Sequence, residues 1–142
     1  ADFLSFNHFF YPSYSKELES ELIALFKVDP AARIFNLSAG EIRRVQVVSS
    51  LSINPKLIIA DEITAVLDII GRQKFLEFLS TFSRKTGATV VLATNILEDL
   101  INHISHVALI SKGRLNLFKE KSDFLSGQDP LQFSKLIARE LE

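Results

Sequence analysis

Two short stretches of this sequence carry residue types suited to phosphate and metal chemistry. One is Leu37-Ser38-Ala39-Gly40-Glu41; the other is Asp61-Glu62, at the end of the apolar run Leu57-Ile58-Ile59-Ala60. A small-residue turn that opens a helix offers a phosphate free backbone amides, a hydroxyl and the positive end of the helix dipole. Two carboxylates beside an apolar strand cannot both be buried without partners, so they belong at its exposed tip, where open α/β sheets bind ligands. There Asp61 can hold Mg2+ through water, and Glu62 can polarise an attacking water. Together the two stretches point to nucleotide hydrolysis. Plainer readings stay open: Ser38 and Glu41 form a capping box, Asp61-Glu62 is an acidic loop, Asp68 caps a helix and Asn95 begins a turn. The glycine-rich, lysine-bearing phosphate loop that usually accompanies such a site does not occur in these residues.

Composition allows a scaffold for that chemistry. A chain of 142 residues, 47% hydrophobic and 23% charged, has enough apolar material for one folded core. Sixteen basic and 17 acidic side chains leave a net charge of −1, so no overall field draws nucleic acid or an anionic membrane surface. There is no cysteine, and the three histidines, His8, His103 and His106, lack metal-ligand spacing. No apolar run approaches the roughly 20 residues needed to span a bilayer. The start Ala1-Asp2-Phe3 lacks the basic segment of a secretion signal. The sequence contains no methionine, even at its start, as a processed, engineered or truncated segment would.

The elements that must position the two stretches follow from periodicity and breakers. An aromatic opening, Phe3 to Tyr11, stops at Pro12, and Ser13 or Ser15 is placed to cap a helix from Lys16. That helix carries an apolar face of Leu18, Leu22, Ile23, Leu25 and Phe26, expected to pack against the aromatics, and breaks at Asp29-Pro30. From Glu41, Ile42, Val45, Val48 and Leu51 recur every three residues and predict an amphipathic helix ending near Asn54-Pro55. Leu57–Ala60 and Thr89–Thr94 read as strands buried on both faces, with a helix over Gly71–Arg84 between them. A short helix over Ile96–Ile104 follows. Next comes a hairpin, with strands at Val107–Ile110 and Leu115–Phe118 and a turn at Ser111-Lys112-Gly113. The remainder from Asp123 to Glu142 reads as helix in two pieces around Gly127–Pro130. This order favours a layered α/β domain with parallel strands and a helical lobe at its start.

The order and separation of these pieces resemble the second half of the nucleotide-binding domain of ABC transporters. Leu37–Glu41 matches the signature motif, Leu57–Glu62 the Walker B strand and catalytic glutamate, Ala65–Asp68 the D-loop, and Asn95 the switch-histidine position. The likeness runs from about Phe3 to about Leu115 and includes Asn54-Pro55-Lys56, Gly71-Arg72 and Lys112-Gly113-Arg114-Leu115. Tyr11-Pro12 and Glu17-Leu18 look most like ATPase subunits of bacterial drug or peptide exporters.

The resemblance implies an α/β fold: a helical lobe followed by the C-terminal half of a P-loop NTPase-like, RecA-like, ABC-type parallel sheet. The implied boundaries are 1–36 for the helical subdomain, 37–118 for the signature helix and core half, and 119–142 for a helical extension. It implies ATP and Mg2+ as cofactors, shared between two ABC ATPase domains in a homo- or heterodimer. Ser38, Ala39, Gly40 and Glu41 would serve the nucleotide held by the partner domain. Asp61 (Mg2+ through water) and Glu62 (attacking water) would serve the chain's own nucleotide, while Asp68 reaches across the interface. A transmembrane subunit would hold the protein at the cytoplasmic face of the membrane.

Several positions depart from the pattern. The Walker A motif, the adenine-stacking aromatic and the Q-loop are missing, so this stretch alone is expected to be catalytically inactive. Ala39 replaces a glycine, adding a Cβ where backbone approaches phosphate. Glu41 replaces glutamine, and its carboxylate would repel phosphate unless turned back into the capping box. Ile63 replaces a proline after the catalytic glutamate. Asn95 replaces histidine, leaving an amide donor and implying slow or asymmetric hydrolysis. Two rival expectations are a degenerate subunit that scaffolds or lends its signature motif in trans, and an ABC-type ATPase working on DNA or ribosomes.

Overall fold

The computed structural model describes residues 2–62, 67–94, 100–126, 135 and 137. The chain divides into two compact units, Ala1–Ala93 and Thr94–Glu142.

In the first unit, helix α1 spans Asp2–Phe10, α2 spans Lys16–Phe26, α3 spans Ala39–Ser52 and α4 spans Ile69–Thr86. Strands β1 (Leu57–Asp61) and β2 (Thr89–Ala93) pair in parallel, from Leu57 opposite Thr89 to Asp61 opposite Ala93. Ser15, in extended backbone, starts α2 by accepting the Leu18 amide at 3.2 Å, and Lys27 ends it in the left-handed region. The apolar periodicity of α2, α3 and α4 converges on one core. Leu22 and Phe26, Val48 and Leu51, and Phe75, Phe78, Leu79 and Phe82 all join Ile58 of β1. Because α2 and α3 share this core, a boundary at residue 36 falls inside the first unit rather than between units.

Two packing expectations need correction. The aromatic opening coils into α1, which places only Leu4 in the core. Phe3, Phe6, Phe9 and Phe10 stay exposed, with Phe6 and Phe9 each in ring contact with Phe10. Residues 3, 6 and 10 recur at helical spacing on one face, so a helix that buries Leu4 turns most of the rings outward. The strands, in turn, are covered on one face only. Ile58 is buried and Val90 and Leu92 pack on the core, but Leu57, Ile59 and Val91 are 54%, 71% and 48% exposed. The apolar run was built for two covering layers, and the described residues supply one.

In the second unit, β3 (His106–Ser111) and β4 (Arg114–Glu120) form an antiparallel hairpin followed by α5, Lys121–Leu125. Lys112 and Gly113 both take positive φ, 52° and 73°, the backbone of a tight two-residue hairpin turn. The pairing shifts between Leu109 and Ile110, and Asn116 has no direct partner in the register. Ile101, Val107, Leu109, Leu117, Phe124 and Ile137 make a separate small core. A boundary at residue 118 would cut β4. Of the helix expected over Ile96–Ile104, residues 96–99 lie outside the described residues, and 100–103 form a turn. The second C-terminal helix also lies outside them, apart from Lys135 and Ile137, which are helical. No described helix is long and apolar enough to cross a membrane.

Candidate functional site

The turn at Ser38 is set by its own hydrogen bonds. Ser38 sits in extended backbone, φ −65° and ψ 161°, and its Oγ accepts from the Glu41 amide at 3.3 Å. Glu41 reaches back, its Oε2 accepting from the Ser38 amide at 2.8 Å and the Ser38 hydroxyl at 2.7 Å. These bonds, the hydroxyl first and the amide second, hold the Glu41 carboxyl below its ordinary range. The carboxylate is therefore folded back into the capping box. Ala39 and Gly40 lead the helix, where amides have no intrahelical acceptor, and both residues are exposed. A Cβ added to Gly40 would meet nothing within 4 Å. The chain's own packing thus makes no demand for glycine there, and the space above the turn is open to a ligand.

Asp61 and Glu62 lie exposed at the C-terminal tip of β1. Glu62 extends the parallel ladder by one bond, its amide donating to the Ala93 carbonyl at 2.9 Å, and it does so with φ 53°. A left-handed backbone at a glutamate is uncommon, and such outliers concentrate at functional sites. Sequence gave no signal for it, since glutamate has no special preference for that region. Because Asp61 pairs with Ala93, the ends of β1 and β2 lie side by side. Asn95, two residues after Ala93, lies outside the described residues, as do residues 65 and 66 of the D-loop.

Asp68 is the N-cap of α4, its Oδ1 accepting from the Gly71 amide at 2.7 Å. A Cβ on Gly71 would come within 2.9 Å of that oxygen. The plain capping role is the one the hydrogen bond carries out. No hydrogen bond or ion pair among the described residues joins Ser38–Glu41 to Asp61–Glu62.

The donor set limits what a metal would find. Among the described residues, no group of three or more histidine, aspartate or glutamate side chains forms a cage. A lone exposed Asp61 fits Mg2+, which keeps several waters and takes its remaining ligands from phosphate rather than from an all-protein cage.

No family model matches the sequence. Curated relatives do. The Energy-coupling factor transporter ATP-binding protein EcfA2 of Enterococcus faecalis is 36% identical over 81 residues, covering 57% of this chain and 28% of that protein. ABC transporter I family member 21 of Arabidopsis thaliana is 37% identical over 97 residues, 68% of this chain and 34% of that protein. EcfA2 of Bacillus anthracis is 30% identical over 121 residues, 83% of this chain and 41% of that protein. The chain therefore spans only about a third of the length of the curated relatives it matches.

Among solved structures, an ATP-binding subunit of an ABC transporter superposes with a TM-score of 0.77 at 20% identity, covering 96% of this chain and 60% of that one. CbiO1 of Clostridium perfringens, described as part of the ABC transporter complex cbiONQ, does so at 0.58 and 21% identity, covering 87% and 49%. At these identities the structures speak to fold alone, and it is the fold those ABC transporter subunits share.

Proposed function

From the premise that this chain is homologous to the C-terminal part of ABC transporter ATP-binding proteins, we propose that it provides half of a shared ATP site and the catalytic edge of another. The observation that carries this reading is the signature turn, with its leading amides unspent, its Glu41 carboxylate turned back and open space above Gly40. In the dimer, Ser38, Ala39 and Gly40 receive the γ-phosphate of ATP bound by the partner domain. Glu41 stays in the capping box, so its charge points away from that phosphate.

At the chain's own nucleotide, Asp61 would hold Mg2+ through water, and the ion would supply positive charge against the phosphates. Glu62 accepts a proton from the water that attacks γ-phosphorus in line with the departing ADP oxygen. Asn95, at the switch position, donates an amide hydrogen bond to the γ-phosphate or the attacking water, and Asp68 contacts the partner domain. The complete protein works at the cytoplasmic face of the membrane, bound to a transmembrane transporter subunit.

These 142 residues contain no Walker A motif, so alone they should not turn over ATP. The chain should nevertheless raise the Mg2+-dependent turnover of a complete ABC ATPase subunit added to it, and Ser38→Arg should abolish the rise. Turnover by the chain alone, removed by Glu62→Gln, would overturn the inactivity; no association with the complete subunit would overturn donation in trans. A second reading, a degenerate subunit kept for its signature motif, is favoured by Ala39 and Asn95. In that case, restoring a Walker A segment upstream would still give no turnover at the chain's own nucleotide.

A further inference from the structure

Beside the signature turn, the end of α2, the loop after it and the first turns of α3 line a partly open cavity of about 370 Å3. That size is at the lower end of what small-molecule sites use, roughly 300–1,000 Å3. Three cations line it, Lys27, Arg33 and Arg44, against two acids, Asp29 and Glu41. Both acids are already engaged. Asp29 Oδ1 accepts from the Ala31 amide at 2.8 Å, and Glu41 Oε2 holds the Ser38 amide and hydroxyl. The three cationic heads make no hydrogen bond or ion pair among the described residues, where the only salt bridge is Lys16 to Glu19. Arg44 acts on the Glu41 carboxylate only through its field.

The loop's backbone is hydrogen-bonded. The loop bonds to itself and to α2 through Val28 to Ile23 (3.0 Å), Ala32 to Asp29 (3.2 Å), Asn36 to Arg33 (2.9 Å) and Leu37 to Ile34 (3.1 Å). Guanidinium groups present planar forks that match phosphate oxygens, and apolar Val28, Leu37 and Val45 share the lining.

We infer that this cavity binds a small phosphorylated organic molecule, its phosphate held by Arg33, Arg44 and Lys27 and its carbon frame laid on Val28, Leu37 and Val45. The site is distinct from the nucleotide contact at Ser38 and Gly40, and neither depends on the other being occupied. Glu41 touches both: it lines the cavity and holds the Ser38 hydroxyl. A phosphate on Arg44 would therefore be felt at the turn.

The test is an amide-shift titration of the full 142-residue chain by NMR with ribose 5-phosphate, with arms of ribose and of inorganic phosphate at matched ionic strength. Saturable shifts should be confined to residues 27–45, ribose should give none, and inorganic phosphate should bind more weakly. Arg33→Gln with Arg44→Gln should weaken binding about tenfold or more, while Lys85→Gln on α4 should change nothing. Arg33→Gln alone, at an exposed position that does not threaten folding, should show part of the loss. Shifts that do not saturate, that persist unchanged in the double variant, or that inorganic phosphate reproduces with equal affinity would overturn the inference. None of these outcomes bears on Ser38→Arg, so this site and the shared ATP site can fail separately.

Discussion

Gly40 and Gly71 both sit in the first turn of a helix, and the structure gives them opposite requirements. Nothing lies within 4 Å of a Cβ on Gly40, so Gly40→Ala should stabilise the isolated chain by about 0.5–1 kcal/mol in urea unfolding. The same change should weaken its effect on a complete ATPase subunit. On Gly71 the added carbon meets the capping oxygen of Asp68 at 2.9 Å, so Gly71→Ala should lose the cap and cost about 1 kcal/mol. Opposite signs for one chemical change would separate a glycine the fold does not need from one it does.

Glu41 gives a pH prediction with a definite sign. Its folded-state pKa is lowered from 4.5 by the Ser38 hydroxyl and amide, so the stability it contributes is fully present above 4.5. That contribution is lost as pH falls through the lower folded value. Glu41→Gln should flatten the fall of the urea midpoint with pH below 4.5 and leave the amide able to complete the capping box. The caps at Ser38 and Asp68 were legible in the sequence because each bond spans three residues. The left-handed Glu62 was not, because it is imposed where one strand ends beside another.

At the level of elements, periodicity located α2, α3 and α4 but did not say which aromatics each buries. Phe75 is 1% exposed and lies against the Phe26 ring at 5.2 Å, whereas Phe9 is 83% exposed on α1. Phe75→Ala should cost about 3–5 kcal/mol, and Phe9→Ala should stay within about 0.5 kcal/mol, both read from urea midpoints. Nothing in the run Phe3–Tyr11 distinguishes these fates, since a ring's burial depends on what its helix meets. The Lys112-Gly113 turn was readable because its glycine and the flanking apolar alternation are local. The one-sided covering of β1 and β2 was not, because an apolar run records the layers a strand was built for rather than those the described residues supply.

For the molecule as a whole, that uncovered face predicts association. Leu57, Ile59 and Val91 present an apolar strip on a two-stranded sheet, and exposed apolar sheet surface seeks a partner. Light scattering over a concentration series should show growing mass for the wild-type chain, and Ile59→Lys should shift it toward monomer. A monomer at all concentrations would contradict the inference. The chain's division at Ala93 bears on how it comes apart. The segment after Ala93 has its own core around Val107, Leu109, Leu117 and Phe124, while the helices and parallel strands before it rest on another. Unfolding should therefore not be all-or-none. The calorimetric enthalpy should exceed the van't Hoff value, and the hairpin amides should exchange with solvent on a different schedule from those of α3 and α4.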